Sequence, residues 1–251
     1  LIAGDSLAYA FAGGTNVSRI TGLDLINTSN VTNMSHMFDG FSANSKSLAL
    51  GSSFDTSNVT DMSYMFRNFA QSSDKLTLDL GTAFSTGNVT NMSHMFDGCG
   101  EKSEQFSLNL GDSFDTGKVT DMSYMFANCA ESKMWQTGEE QLTLTPEFTF
   151  SLGDQFDTSS VTDMSSMFYE FGKNNTKFTF DLGDKFNTAN VTNMSHMFLY
   201  CGWFSEALTL DLGDYFDTSK VTDMSSMFEY CGMESTLFTL DLGEKFSTGN
   251  V

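Results

Sequence analysis

Four cysteines, three histidines and sixteen methionines are the residues of this 251-residue chain whose types could carry chemistry. Cys99, Cys129, Cys201 and Cys231 share one position of a repeat, and Phe41, Phe69 and Phe171 occupy that position in other copies. A thiol interchangeable with a phenyl ring behaves as a small core hydrophobe. A disulfide between neighbours in that column needs Cα atoms within about 7 Å, whereas helices packed side by side lie roughly 10 Å apart. Buried free thiols are therefore expected over disulfides or a metal site, and the cysteine count fixes no redox compartment. His36, His94 and His196 sit at least two copies apart, too far to share a metal at about 2 Å, and none has a Ser or Cys beside it in a nucleophile arrangement. A surface position or an Asn neighbour accounts for them. Fourteen of the methionines fall at two fixed places of the repeat and read as a core stripe, not as a metal or redox array.

The carboxylates are more informative. Asp and Glu number 32 against 12 Lys and Arg, a net charge of −20, which argues against nucleic acid and anionic lipid as partners. Outward strand positions give a column Asp79, Asn109, Ser151, Asp181, Asp211, Asp241, followed after each strand by Asp112, Asp154, Asp184, Asp214 and Glu244. Acids stacked about 5 Å apart repel one another. Ca²⁺ would relieve this, with Asp181, Asp184, Asp211 and Asp214 as weak candidates, but no Asp-Xaa-Asp-Xaa-Asp-Gly loop is present and a solvated acidic face is the plainer reading. No cofactor is otherwise implied. Beside the acids runs a hydroxyl column that includes Thr179, Thr209 and Thr239, explained by strand propensity and hydroxyl ladders. Trp135 and Trp203 fall between the apolar stripe and the strand, where a large aromatic side chain is either a contact residue for a protein or sugar or a local plug.

These residues are positioned by a repeat. Val-Thr-(Asp/Asn)-Met-Ser-Xaa-Met-Phe starts at Val31, Val59, Val89, Val119, Val161, Val191 and Val221, with steps of 28, 30, 30, 42, 30 and 30 residues, and a further copy opens at Val251. Such a period means one supersecondary unit stacked on itself. Within a unit, a turn-rich loop such as 84–88 precedes apolar residues at Val89, Met92, Met95, Phe96 and Cys99, a helical spacing closed by Gly100. The Thr or Ser before this stripe reads as a cap, and Asp61, Asp121, Asp163 and Asp223 fall in the first turn. Alternation at Phe106, Leu108 and Leu110 then predicts a half-buried strand. The expected architecture is an α/β repeat solenoid, leucine-rich-repeat-like, with one parallel strand and one short helix per coil of ~30 residues. Its strand face should be concave, since helices take about twice the width of strands. Residues 1–251 read as one array, a fragment of a longer one, with an insertion loop at 130–147. His and Tyr alternate over part of the array in a rhythm of about 60 residues, which suggests duplicated repeat pairs. No run reaches the ~20 apolar residues of a membrane helix.

The segment Phe-Asp-Thr-Ser-Asn-Val-Thr-Asp-Met-Ser-Tyr-Met-Phe at 54–66 is the clearest copy, and it resembles the BspA-like leucine-rich-repeat surface proteins of bacteria. The resemblance runs over nearly the whole chain, although that family's usual unit is a few residues shorter. It implies an extracellular, cell-surface protein, secreted and non-enzymatic, that adheres to a protein or glycan on a host or neighbouring cell without inserting into the membrane. The alternative expectation is a structural spacer or a filament unit associating head to tail through its apolar ends.

Overall fold

The computed structural model of the protein describes residues 1–42, 44–45, 47–48, 50–51, 54–81, 83–103, 105–111, 113–130, 148–152, 156–175, 177–183 and 185–251. It is a parallel-strand β-solenoid. The strands are β1 (Ser47–Leu48), β2 (Lys75–Asp79), β3 (Gln105–Asn109), β4 (Phe148–Ser151), β5 (Lys177–Asp181), β6 (Ala207–Asp211) and β7 (Leu237–Asp241). They form two sheets, β1-β2-β3 and β4-β5-β6-β7, with every strand parallel to its neighbour. Register follows the repeat, so Leu76 lies beside Phe106, and Thr209 lies between Thr179 and Thr239. Strand alternation was read correctly: Leu76 and Leu78 are buried and Thr77 is exposed between them.

The helix expectation fails. Among the described residues the only helical element is a 3₁₀ turn at Leu23–Leu25. The apolar stripe instead follows a succession of tight turns. In the first full copy, N–H groups of Met37, Asp39 and Phe41 donate three residues back, to carbonyls of Met34, His36 and Phe38 at 3.2, 3.2 and 3.0 Å. The alternate N–H groups leave the coil: those of Met34, His36, Phe38 and Gly40 donate to carbonyls of Asp61, Ser63, Met65 and Arg67 at 3.0, 2.9, 2.9 and 2.7 Å. A helix would have kept these donors within its own coil and left neighbouring coils joined by side chains alone. The spacing that signals a helix is also met by turns that return to the interior every three or four residues. The turn path has a further advantage: a helix is about 10 Å wide and a strand about half that, whereas stacked turns let both walls rise together. With the helices goes the basis for expecting a concave strand face.

The turns require a left-handed backbone at a repeated place. His36, Tyr64, His94, Tyr124, Ser166, His196 and Ser226, equivalent residues in seven copies, have φ between 53° and 60°. Each such non-glycine residue costs roughly 1–2 kcal/mol, offset by a backbone whose donors are used alternately within and between coils. Gly100, expected to close a helix, does adopt φ 60°, and a Cβ there would stand 2.7 Å from the Phe106 ring.

The interior is a set of columns. Phe11, Phe38, Phe66, Phe96 and Phe126 stack face to face at 5.5, 5.5, 5.6 and 5.6 Å between ring centroids, and the column continues through Phe168, Phe198 and Phe228 at 5.8, 5.5 and 5.4 Å. Met34, Met37 and their equivalents up to Met197 line the same core and are fully buried. A buried hydroxyl column was missed in the sequence: Thr28, Thr56, Thr86, Thr116, Thr158, Thr188 and Thr218 each donate to a carbonyl of the next coil at 2.7 or 2.8 Å. They are not helix caps. Asp61, Asp121, Asp163 and Asp223 likewise serve no helix dipole; each accepts the N–H of the Ser two residues on, at 2.8 or 2.9 Å, in an Asx turn.

Among the described residues no pairing joins β3 to β4, where the step is 42 residues, and the expected insertion lies almost wholly outside the described residues. The turn wall is not interrupted there. Thr162 N–H donates to Thr120 O at 2.9 Å, Met122 N–H to Asp163 O at 3.0 Å, and Phe126 stacks on Phe168.

Candidate functional site

The outer strand face carries the columns foreseen. Thr209 and Thr239 are exposed and Thr179 is half-buried, while Asp181, Asp211 and Asp241 are exposed and adjacent in register. Each carboxylate has a structural task. An oxygen of Asp181, Asp211 and Asp241 accepts the N–H of Gly183, Gly213 and Gly243 at 2.9, 2.9 and 3.0 Å, folding the chain back at the strand end. Asp214 is exposed in the next turn, and Asp184 lies outside the described residues. Among the described residues no group of three or more His, Cys, Asp or Glu is disposed to hold a metal ion.

Trp135 also lies outside the described residues. Trp203 is half-buried within an aromatic cluster on the turn wall. Its ring stacks on Phe204 at 4.7 Å and meets Tyr200 at 4.9 Å, and the Lys173 ammonium sits 4.8 Å from its centroid while pairing with Glu170 at 3.0 Å. Tyr200 in turn stacks on Tyr230 at 4.9 Å and takes Tyr169 edge-on at 6.2 Å. Burial and the adjoining Glu170 push the Tyr169 phenol up from its ordinary value. The Trp203 Nε1 atom is buried and finds no acceptor, while Tyr230 and Met233 remain 44% and 40% exposed. Trp203 is thus part of a surface patch of Tyr, Trp and Met, the residue types enriched where proteins bind partners.

A second aromatic feature escaped the sequence reading. Tyr9, His36, Tyr64, His94 and Tyr124 form an alternating stack with centroids 4.3, 4.4, 4.3 and 4.4 Å apart and planes within 11°. The alternation of His with Tyr was visible, but the strained turn that brings the rings over one another was not. Two of the three histidines are bound by carboxylates three residues on, not by Asn: His36 Nδ1 lies 2.8 Å from Asp39 and His94 Nδ1 2.9 Å from Asp97, whereas His196 has Leu199 in that place. Arg67 forks onto Asp39 through Nε and Nη2 at 2.9 and 2.7 Å and lies over the Tyr64 ring. Burial raises the Asp39 carboxyl, but bonds from Arg67 and His36 outweigh it and hold the group below the ordinary carboxylate range. A depressed folded-state value means that Asp39 stabilises the fold at pH above about 4, its unfolded value. That contribution is lost as pH falls through the folded value. Asp39→Asn is accordingly expected to lower the urea midpoint at pH 7, with the gap to the parent chain narrowing as pH falls below about 4; a gap that does not narrow on acidification would show that the charge of Asp39 is not what matters.

The cysteines are free and buried, as their exchange with Phe implied. Burial pushes the thiols of Cys99, Cys129 and Cys201 well up, which makes them poor nucleophiles. Among the described residues no helix is long and apolar enough to cross a membrane.

Comparison with known proteins gives one finding. The chain matches no curated protein and no solved structure. A family-wide sequence profile, described as "Mycoplasma protein of unknown function, DUF285", matches residues 5–138 and 140–251. With nearly the whole solenoid covered by that match, the chain belongs to this family of repeat proteins.

Proposed function

We propose that the chain is a non-enzymatic recognition array of the BspA-like leucine-rich-repeat kind, displayed on the outside of a cell and adhering to a protein or glycan of a host or neighbouring cell. The observation that carries this reading is the aromatic cluster of Tyr200, Trp203 and Phe204, large side chains left half-buried on the turn wall within the array, with Tyr230 of the last coil stacked beside them. The exposed Thr and Asp columns of β5, β6 and β7 add a regular hydroxyl and carboxylate surface for weaker contacts. The histidines at hand, His36 and His94, are engaged by carboxylates and packed between tyrosines, an arrangement suited to holding coils together.

Removal of a central aromatic contact usually weakens a protein interface by about 2 kcal/mol or more, roughly 30-fold. Tyr230→Ala is therefore expected to reduce attachment of the purified chain to partner cells by that factor with only a small fall in its urea midpoint, from the lost stack on Tyr200, and Trp203→Phe by less. Attachment indifferent to both would favour the alternative, a spacer or head-to-tail filament unit. The observation behind that alternative is the unbroken backbone column from Thr32 through Thr222, each Thr N–H donating to the preceding Thr carbonyl at 2.8 or 2.9 Å. A spacer would respond to coil number, and a filament unit would show concentration-dependent length in small-angle scattering.

A further inference from the structure

We propose that the cleft between residues 15–24 and the described residues of the next coil, Phe41, Asn44, Ser47 and Leu48 among them, is a binding site for a small saccharide bearing a single carboxylate, with Arg19 as the residue that takes the acid group. The cleft arises from a failure of the repeat. The first coil stacks on the next at an offset of 27 residues, as Ser6 beside Asn33 and Phe11 beside Phe38 show, so Ile20 and Thr21, next to Arg19, are the equivalents of Ser47 and Leu48. Ser47 and Leu48 pair with Thr77 and Leu78 on one side, but residues 17–22 join no ladder. The segment is pinned at both ends instead. Ser42 N–H donates to Gly14 O at 3.1 Å, and a Cβ on Gly51 would stand 2.7 Å from Asp24 Cβ. Between these pins it bows away from the edge of β1 and leaves a cleft of about 1120 Å³, at the upper end of what small-molecule sites enclose.

The lining suits a polyhydroxylated ligand. Val17, which is exposed, and the half-buried Ile20 supply apolar surface for the C–H faces of a sugar ring, over a floor of buried Leu23, Phe41 and Leu48. Asn16, Asn44 and Ser47 stand exposed around it, with side chains that both donate and accept. Closure at both ends favours a compact ligand over an extended peptide. Arg19 supplies the charge. Of the two arginines in the sequence, Arg67 is held by Asp39, whereas Arg19 is exposed on the cleft and bonds no carboxylate among the described residues. A guanidinium left open in a chain of net charge −20 is available for a carboxylate, which it can grip with two parallel bonds. The same negative charge repels polyanions, and Asp24 on the cleft wall disfavours a second acid group while accepting a hydroxyl. One carboxylate on a neutral sugar frame satisfies both constraints.

This site is separate from the Trp203 patch and does not rest on the adhesion reading. The test is calorimetry with the whole 251-residue chain and four probes: glucuronic acid, a disaccharide carrying one glucuronate, maltose as a neutral control, and acetate as a bare carboxylate. The uronate disaccharide is expected to bind at least tenfold more tightly than maltose or acetate. Arg19→Gln should remove at least tenfold of that affinity, Arg19→Lys should restore part of it, and Tyr230→Ala should leave it unchanged. No binding of either uronate, equal affinity for maltose, or full affinity in Arg19→Gln would overturn the proposal. Acetate binding as well as the uronate disaccharide would overturn the saccharide assignment.

Discussion

Phe96→Ala is expected to lower the stability of the array by about 3–5 kcal/mol, the usual loss when a buried Phe is truncated. Phe96 is fully buried, with the parallel rings of Phe66 and Phe126 on either side at 5.6 Å. Its removal leaves a cavity in the core and ends two aromatic contacts, each stabilising by about 0.5–1.5 kcal/mol beyond the area buried. In a solenoid each coil contacts only its neighbours, so the loss should remain local. Urea unfolding followed by hydrogen exchange is the measurement. Amides of the coils around Phe96 should lose protection first and the single transition should broaden or divide. Uniform loss of protection along the chain would mean that the coils are coupled far more tightly than nearest-neighbour stacking allows.

Thr56→Val tests the buried hydroxyl column. The Thr56 hydroxyl donates to Ser85 O at 2.7 Å and accepts the Ser85 N–H at 2.8 Å, so one side chain serves both polar groups of a peptide in the next coil. Valine has the same shape and neither bond. Leaving a buried group without a partner costs about 1–3 kcal/mol, and a loss on the order of 2–4 kcal/mol is expected from the pair. Thr56→Ser keeps the hydroxyl and should recover most of the difference. A valine variant as stable as the parent would show that water replaces the hydroxyl.

How far the sequence carried this fold depended on whether a residue's task was set within its own coil or between coils. Strand alternation at Leu76, Thr77 and Leu78 is a local pattern and was read correctly, as was the burial of Cys99 implied by its exchange with Phe69. The helix was wrongly expected because spacing reports which residues point inward and says nothing of where N–H groups go. Met34 N–H donates to Asp61 of the next coil, and no periodicity within one unit encodes that choice. Thr28 and its equivalents looked like caps for the same reason: a hydroxyl that bonds a residue some thirty positions away has no local signature. At the surface, Trp203 was identified from its type and place, but its companions Tyr200 and Tyr230 emerged only when three coils were set side by side. The cleft at Arg19 was hidden because it exists where the repeat departs from itself, and a search for regularity passes over such places.

Among the described residues β3 and β4 are not paired, while the turns beside them run on unbroken, and this separates two tasks that most sheets combine. Alignment of the coils is kept by a spine of turns, each tied to the next by several backbone bonds. The opposite wall is thereby released from keeping count. About a dozen residues beyond the usual step are taken up there, as the 42-residue step shows, and the turn-wall bonds on either side are kept. Length of the array and ornament on its face are in this architecture independent variables, and a lineage of such chains can vary one while holding the other constant.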